Sequence, residues 1–321
     1  MSSLKEVEKE LSAHERFFIF SHMSPEADAI GSQLGLSRIL RQLGKKTVLV
    51  NQDGLPERLS FIKGSKSINR PSEIDMRKDQ PKVAIVVDCA NLDRIGDDAV
   101  GMLADRKIVN IDHHQDNSHF GDLNLVESFA ATTQIIYELT QYLDFKVDPP
   151  LATALYAGLM VDTGSFQNSN VDRAALATAA ELVDLGADVK AIVKNIYESE
   201  PFPKMKLLGR VLGKASFNGD IVWSEVTKEL LEETETNMSD TEGIITQLRK
   251  TEGAQVACLF KELSNERVKI SLRSKDGFNS SKVARSFGGG GHRAAAGFLL
   301  EGELEEVERK VIKKLQGEID G

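Results

Sequence analysis

The stretch Lys107-Ile108-Val109-Asn110-Ile111-Asp112-His113-His114 decides how this chain is read. Its apolar run has the look of a buried strand, and the run ends on a carboxylate followed by two imidazoles. Those groups, side by side, are oxygen and nitrogen ligands for a divalent metal. A polar strand end explains the triplet about as well when it is taken alone. The metal reading therefore depends on whether other segments run out into the same kind of residue.

Upstream, Phe17-Phe18-Ile19-Phe20 is a compact apolar strand that ends at Ser21-His22. A turn at Pro25 brings in Glu26 and Asp28, and Ile30, Leu34, Ile39, Leu40 and Leu43 then recur at helical spacing until Gly44 stops the helix. Helix capping and the helix dipole account for an acidic residue such as Asp28 at that point, but not for His22. Lys46–Val50 reads as the next strand and residues 51–80 as a turn-rich connection. Val83–Val87 is apolar throughout, as in a strand covered on both faces of a parallel sheet, and it delivers Asp88 at its end. Residues 131–143 and 151–160 read as helices, the second running into Asp162-Thr163-Gly164, which is also a common turn sequence. Strands alternating with helices predict an α/β fold with a doubly wound, mainly parallel sheet and ligands gathered at the strand C-termini. His22, Asp88 and Asp112-His113-His114 all fall at that edge.

The chain has 321 residues, enough for two domains of ordinary size, and its hydrophobic fraction of 41% is that of a globular protein. No apolar run approaches the roughly 20 residues that span a bilayer. The start, Met1-Ser2-Ser3-Leu4-Lys5-Glu6, lacks the apolar core of a signal peptide, so a cytoplasmic location is expected. Cys89 and Cys258 lie in apolar runs and are expected as small buried hydrophobes, not ligands or a disulfide. A net charge of -9 argues against tracking along duplex DNA, so any nucleic-acid ligand should be short.

Helices are expected through 172–198, after which Pro201 and Pro203 mark a domain boundary, with a short connecting helix over 204–213. The predicted division is a domain over 1–198, a linker over 199–213 and a smaller mixed α/β domain over 214–321. In the latter, Asn218-Gly219-Asp220 turns a hairpin, Ser239 and Glu242 have capping-box spacing before a helix through Leu248, and residues 255–260 pair with 267–273. Gly288-Gly289-Gly290-Gly291-His292-Arg293 follows a predicted helix over 279–287. By composition alone such a run reads slightly better as a flexible linker. Its position between a helix and a strand, with His292 and Arg293 next, favours a loop whose backbone amides wrap a phosphate, and Arg273 at its strand end is a candidate to join them.

The ordered set His22-x-x-Pro25-Glu26-x-Asp28, Asp88, Asp112-His113-His114 and Gly158-x-x-x-Asp162 resembles the motifs of the DHH phosphoesterases, and the glycine segment resembles their associated C-terminal domain. The resemblance spans essentially the whole chain and is nearest to the small NrnA-type enzymes that degrade very short RNAs and dephosphorylate pAp, adenosine 3',5'-bisphosphate. Chain length argues against the RecJ-like nucleases, and the glycine motif against the pyrophosphatases. The resemblance implies two divalent ions, manganese by expectation, with magnesium or cobalt as alternatives. One would be held by His22, Glu26 and Asp88 and the other by Asp28, Asp88, His113 and Asp162. Asp88, His113, His114 and Asp162 would be catalytic, with His114 a donor to the phosphate or leaving oxygen. Arg273, Gly288, Gly289, Gly290, Gly291, His292 and Arg293 would bind substrate, in a cleft between the two domains. Two metals about 3.5–4 Å apart suit an in-line displacement at phosphorus.

One departure stands out: Glu26-Ala27-Asp28 occupies the place of the family's usual Asp-x-Asp, so by the resemblance the first metal would be held by a longer arm. The implied activity is a phosphate-ester hydrolase of exoribonuclease and bisphosphate-nucleotidase type, with short RNA and small nucleotides as partners and no membrane; a homodimer is left open. Two alternatives remain at this level. One is a phosphodiesterase for cyclic dinucleotides or their linear products, such as c-di-AMP, pApA or pGpG. The other is a nucleotide-binding protein whose Glu26 site no longer turns over.

Overall fold

Alternation along Phe17-Phe18-Ile19-Phe20 puts Phe17 and Ile19 into one core and Phe18 and Phe20 into a second, on the two faces of one sheet. The computed structural model describes residues 3–76, 81–263, 266–275 and 277–319, and the contacts divide it into two units at Ser199 and Glu200.

The first unit holds six strands: β1 Arg16–Phe20, β2 Lys46–Val50, β3 Ile68–Asn69, β4 Val83–Val87, β5 Lys107–Asp112 and β6 Leu123–Val126. They pair in parallel in the order β3-β2-β1-β4-β5-β6. The helices are α1 Leu4–Ala13, α2 Ala27–Gln42, α3 Asp97–Gly101, α4 Thr132–Tyr142, α5 Pro149–Asp162, α6 Arg173–Asp184 and α7 Val189–Ile196. The larger core takes Ile30, Leu36, Ile39 and Leu40 of α2, Ile135 and Ile136 of α4, and Leu151 and Leu155 of α5 on one face; Ala99 of α3 lies in the core on the other. Every residue of β4 is buried, as its unbroken apolar run requires. The sheet is thus doubly wound, and its strand order reverses between β1 and β4. The crevice outside the C-terminal ends of those two strands is where such sheets bind ligands.

Two short strands add detail to the sequence reading. The connection 51–80 contains β3, which pairs Ile68 with Leu49, and β6 follows the Asp-His-His triplet; residues 77–80 of that connection lie outside the described residues. Both strands are too short for periodicity to announce them.

The second unit contains α8 Phe202–Gly213, β7 Ser216–Phe217, β8 Ile221–Val226, α9 Lys228–Glu233, α10 Ile244–Arg249, β9 Val256–Leu263, β10 Arg267–Ser274, α11 Ser280–Ser286, β11 Gly290–His292, β12 Ala295–Glu301 and α12 Leu304–Ile319. Its sheet runs β11-β12-β10-β9-β8-β7, parallel between β8 and β9 and antiparallel elsewhere. Cys258, Phe260, Ile270, Leu272 and Phe298 face Val311 and Leu315 of α12, whereas Ala257 and Leu259 face α8, α9 and α10. Helix α8 starts with Pro203 in its first turn, where a missing amide proton is harmless, and sends Leu207 and Val211 into this core. Of the stretch read above as a linker, residues 200–213 fall in the second unit. The helix expected after Ser239 begins instead at Ile244, and the capping box is formed by Asn237 and Asp240 around a short 3-10 turn. Asn237 outcompetes Ser239 because its side chain accepts from the Ser239 amide. The polar turn between β9 and β10 includes residues 264 and 265, outside the described residues. Both cysteines are buried and free. Among the described residues no helix is long and apolar enough to cross a membrane.

Candidate metal centre

Three consecutive strands of the first sheet end in the crevice. His22 lies two residues beyond β1, Asp88 one beyond β4, and Asp112 closes β5 with His113 and His114 directly after it. Asp28 enters from the first turn of α2 and Asp162 from the last residue of α5. One ligand atom from each of Asp28, Asp88, His113 and Asp162 lies within 4.8 Å of the others, and Asp88, His113 and His114 form a second such group. The fold thus gathers residues 134 positions apart in sequence, from Asp28 to Asp162, into one donor set.

Asp88 is at its centre. It is 3% exposed and adopts φ +55°, a left-handed conformation that is sparsely populated outside glycine. Its amide donates to the Ile111 carbonyl at 3.0 Å, and Thr132 Oγ1 donates to its Oδ1 at 3.0 Å. His22 Nε2 stands 3.4 Å from Oδ2 and His113 Nε2 3.7 Å from Oδ1. Burial raises this carboxyl, but the hydrogen bond and charge of His22, with the charges of His113 and His114, bring it down to about 2.

The two proximal histidines are held in the same way. His22 Nδ1 lies 2.7 Å from the Met23 carbonyl and His113 Nδ1 3.3 Å from the Phe129 carbonyl. A carbonyl only accepts, so each ring donates from Nδ1 and directs Nε2 at the carboxylates, which leaves Nε2 as the atom a metal would take once its proton is lost. His113 Nε2 is 3.0 Å from Asp162 Oδ2, yet it is buried without a properly aligned hydrogen-bond partner. Burial works against protonating His113, but Asp162, Asp28 and Asp88 raise it to about 10. Three carboxylates crowded around an orphaned imidazole nitrogen call for positive charge, and the oxygen and nitrogen donors match a manganese-like ion better than a thiolate-seeking one.

Asp28 is fully buried, and both its oxygens are taken. Oδ2 accepts from the Thr132 amide at 2.6 Å and Oδ1 from the Thr133 amide at 2.8 Å, at the N-terminus of α4. Burial and the charges of Asp88 and Asp162 raise its carboxyl well above the usual range, while His113 and the Thr133 bond pull the other way. Each oxygen keeps a second lone pair for a ligand. Asp162 is also raised, chiefly by burial, and its carbonyl is tied down by the side-chain amides of Asn168 and Asn170, each at 3.2 Å.

His114 stands apart. Its Nδ1 is 2.8 Å from Asp112 Oδ1, and Asn117 Nδ2 donates to Asp112 Oδ2 at 2.6 Å. With Nδ1 bound to Asp112, the ring's free edge is Nε2. Burial lowers its proton affinity, but the Asp112 bond raises it above that of an ordinary histidine. Glu26 is the N-cap residue of α2, is exposed, and belongs to neither donor group; nor does His22, whose Nε2 faces Asp88. Thr132, Thr133, Asn117, Asn168 and Asn170 were missing from the sequence reading. Threonine at a helix start and asparagine in a turn are too common to signal anything before the fold shows what they touch.

In the second unit the glycine run is neither linker nor simple loop. Gly290–His292 forms β11, paired with β12 through Gly291 opposite Ala296. A Cβ on Gly291 would lie 2.5 Å from the Ala295 carbonyl oxygen, and its φ of +133° is closed to other residues. Gly288, Gly290, Gly291, His292 and Arg293 are exposed, and Arg273 lies half-buried on neighbouring β10.

The same motifs mark known proteins. Residues 16–159 match the DHH family N-terminal domain and residues 218–320 the DHHA1 domain. The chain is 32% identical over 306 residues to the bifunctional oligoribonuclease and PAP phosphatase NrnA of Thermus thermophilus, covering 94% of this chain and 90% of that one. It belongs to the DHH family. The NrnA of Bacillus subtilis is 30% identical, with 91% of each chain covered. A crystal structure of an exopolyphosphatase-related protein from Bacteroides fragilis superposes with a TM-score of 0.89 at 26% identity, covering 97% of this chain and 94% of that one. This DHH-family chain is similar to NrnA enzymes from end to end.

Proposed function

We propose that this chain hydrolyses short oligoribonucleotides to mononucleotides and removes the 3'-phosphate of pAp to leave AMP, using two divalent ions, manganese by preference. The observation that carries this is the donor set of Asp28, Asp88, His113 and Asp162 at the topological switch point of a DHH fold. These four would hold one ion, and His22, Glu26 and Asp88 the other, with Asp88 shared. Bound there, the ions lower the pKa of a water and stabilise charge on the phosphoryl oxygens.

The chain's own residues supply the rest. The Met23 and Phe129 carbonyls fix His22 and His113 in the orientation that presents Nε2. The α4 amides hold Asp28 in place, so the site is organised before substrate arrives. Asp112 and Asn117 hold His114 so that its Nε2 carries a proton for a phosphate oxygen or for the leaving oxygen. Residues 1–198 act as the catalytic domain and 214–321 as the substrate-binding domain, with α8 of the intervening 199–213 packed into the latter's core. There Gly288, Gly289, Gly290, Gly291, His292, Arg293 and Arg273 hold a second phosphate or the nucleotide. The setting is cytoplasmic.

The test follows product from pAp and from labelled RNAs of two to five nucleotides, with manganese and with a chelator. AMP and mononucleotide release that stops on chelation is expected. Tight metal-dependent binding without product would reverse the reading, and faster turnover of pApA or pGpG than of other dinucleotides would move it to signalling products.

A further inference from the structure

Helices α2 and α5 run antiparallel and in direct contact, so close that a Cβ on Gly31 of α2 would stand 2.5 Å from the Ala154 carbonyl oxygen of α5. At one end the pair delivers Asp28 and Asp162 to the candidate metal centre. At the other end lies a cavity of about 140 Å³, with the buried Leu34 and Leu151 in its wall beside Ser37, Arg38, Arg41 and Lys63. Arg38 is ten residues from Asp28 along α2, about 15 Å of helix. Leu151 is eleven from Asp162 along α5, roughly 16 Å. Thr47, which bonds both Ser37 and Arg41, stands at the start of β2, whereas the metal donors follow strand C-termini. The cavity is thus at the opposite edge of the sheet from the metal centre.

The cationic side of this cavity is organised by other groups. Arg38 is held by Asp148, whose second oxygen accepts from the Leu151 amide at 3.1 Å and so caps α5. Arg41 Nε donates to Thr47 Oγ1 at 2.9 Å, and Ser37 Oγ lies 2.7 Å from the same oxygen. Two guanidinium groups are thereby fixed three residues apart on one face of α2, where like charges repel. The C-terminal end of a helix favours cations, which accounts for Arg41 taken alone. It does not account for Lys63, which arrives from the connection between β2 and β3. Among the described residues Lys63 has no hydrogen bond or ion pair, and Arg41 uses only its Nε. The one carboxylate paired with these cations is Asp148, on Arg38. In a chain with a net charge of -9, three cations around one small cavity run against the average.

We infer that this cavity binds a phosphate monoester, as a site separate from the metal centre. Arg41 brings a guanidinium fork and Lys63 a point charge, the two side chains that most often meet phosphate, and Arg38 adds charge beside them. Leu34 and Leu151 suit the carbon atoms next to the ester oxygen, which a free phosphate would leave uncovered. An engineered cavity of about 150 Å³ takes one benzene ring. The space here therefore holds a phosphate with the first carbons of its ester and leaves a nucleobase outside. The ligand is the phosphate end of either a sugar phosphate or a nucleotide. The site goes beyond the hydrolysis proposed above, because it uses neither the metal donors nor any residue of the second unit.

The experiment follows hydrogen exchange by mass spectrometry on the full chain in chelator, with AMP, ribose 5-phosphate, inorganic phosphate, adenosine or potassium chloride at matched ionic strength. AMP and ribose 5-phosphate should slow exchange across residues 60–69 and the C-terminal half of α2. Inorganic phosphate should do so only at higher concentration, and adenosine and chloride not at all. Protection at lower AMP than ribose 5-phosphate assigns the site to a nucleotide, and the reverse or equality assigns it to a sugar phosphate. The double variant Arg41→Gln/Lys63→Gln should need about tenfold more ligand, while Lys63→Arg should not. In both, the unfolding midpoint should not fall and manganese-dependent turnover should be unchanged. No protection in these segments, protection by adenosine or chloride, parity of inorganic phosphate with the esters, or undiminished protection in the double variant overturns the site. Exchange at residues 288–293 reports the proposed substrate loop separately, and absence of product with manganese bears on the hydrolase reading alone.

Discussion

Replacing Gly158 with alanine should disable the metal centre while barely touching the fold. An added Cβ would stand 2.5 Å from Thr133 Cγ2, 2.6 Å from Thr133 Oγ1 and 2.7 Å from Asp28 Oδ1. Carbon contacts settle near 3.5–4.0 Å, so about 1 Å of movement is required. Thr133 is β-branched and sits in the first turn of α4, and Asp28 is clamped between two amides of that same turn, so any retreat displaces the ligand. Overpacking costs about 1–3 kcal/mol, and replacing glycine inside a helix offsets about 1 kcal/mol, so the net loss of stability is about 0–2 kcal/mol. A reacting group misplaced by about 1 Å lowers rate by about 100-fold. Manganese-dependent hydrolysis of pAp, measured beside thermal unfolding, separates the two effects. Gly209 in α8 is the control, since nothing lies within 4 Å of its added Cβ; alanine there should stabilise by about 0.4–1 kcal/mol and leave turnover alone. Activity of Gly158→Ala within about twofold of the unaltered protein would falsify the claim that this close approach holds Asp28 in place.

Further expectations concern protons, positioning and the unusual ligand. His22 and His113 are both raised, His113 to about 10, and metal requires them neutral, so manganese uptake at pH 7 should release protons, and fewer as pH approaches 10. Calorimetry in buffers of different ionisation enthalpy reads this directly, and buffer-independent heat would contradict it. In the metal-free protein the raised His113 contributes stability in full below 6.5 that is lost as pH rises through about 10, whereas the lowered Asp88 contributes above 3.8 and loses it as pH falls through about 2. A pH series of unfolding midpoints should therefore decline at both ends. Asn117→Ala strips Asp112 of one donor and should cost about 1–3 kcal/mol in stability, with kcat lowered more than KM is changed. A KM effect alone would place Asn117 outside the alignment of His114. Glu26→Asp should raise activity at limiting manganese if the longer arm weakens the first ion; a fall would show that glutamate is the better ligand here.

Much of the candidate site could be read before the fold was known, because strands of a parallel sheet end on one edge and the candidate ligands follow strand ends. His22 after Phe20, Asp88 after Val87 and Asp112 after Ile111 needed only a buried apolar run to point at them. Periodicity could not find β3 or β6, each too short to show a pattern, and the capping box was misplaced by two residues because Asn237 and Ser239 carry the same local signal. The glycine run shows the limit of composition most plainly. Its glycines read slightly better as a flexible linker, yet Gly291 is packed against the Ala295 carbonyl in an ordered strand.

By itself, the sequence determined the doubly wound class, the candidate donor residues and the family, since these depend on residue type and order along the chain. Only the tertiary structure decided which donors meet. It brought Asp28, Asp88, His113 and Asp162 within 4.8 Å of one another, left Glu26 outside both groups, and clamped Asp28 with the amides of Thr132 and Thr133. It also put Arg267, Lys269 and Arg273 on one face of β10 and set Lys261 opposite Lys269. Such pairings depend on helix packing and strand register between segments far apart in the chain, and no local pattern encodes them.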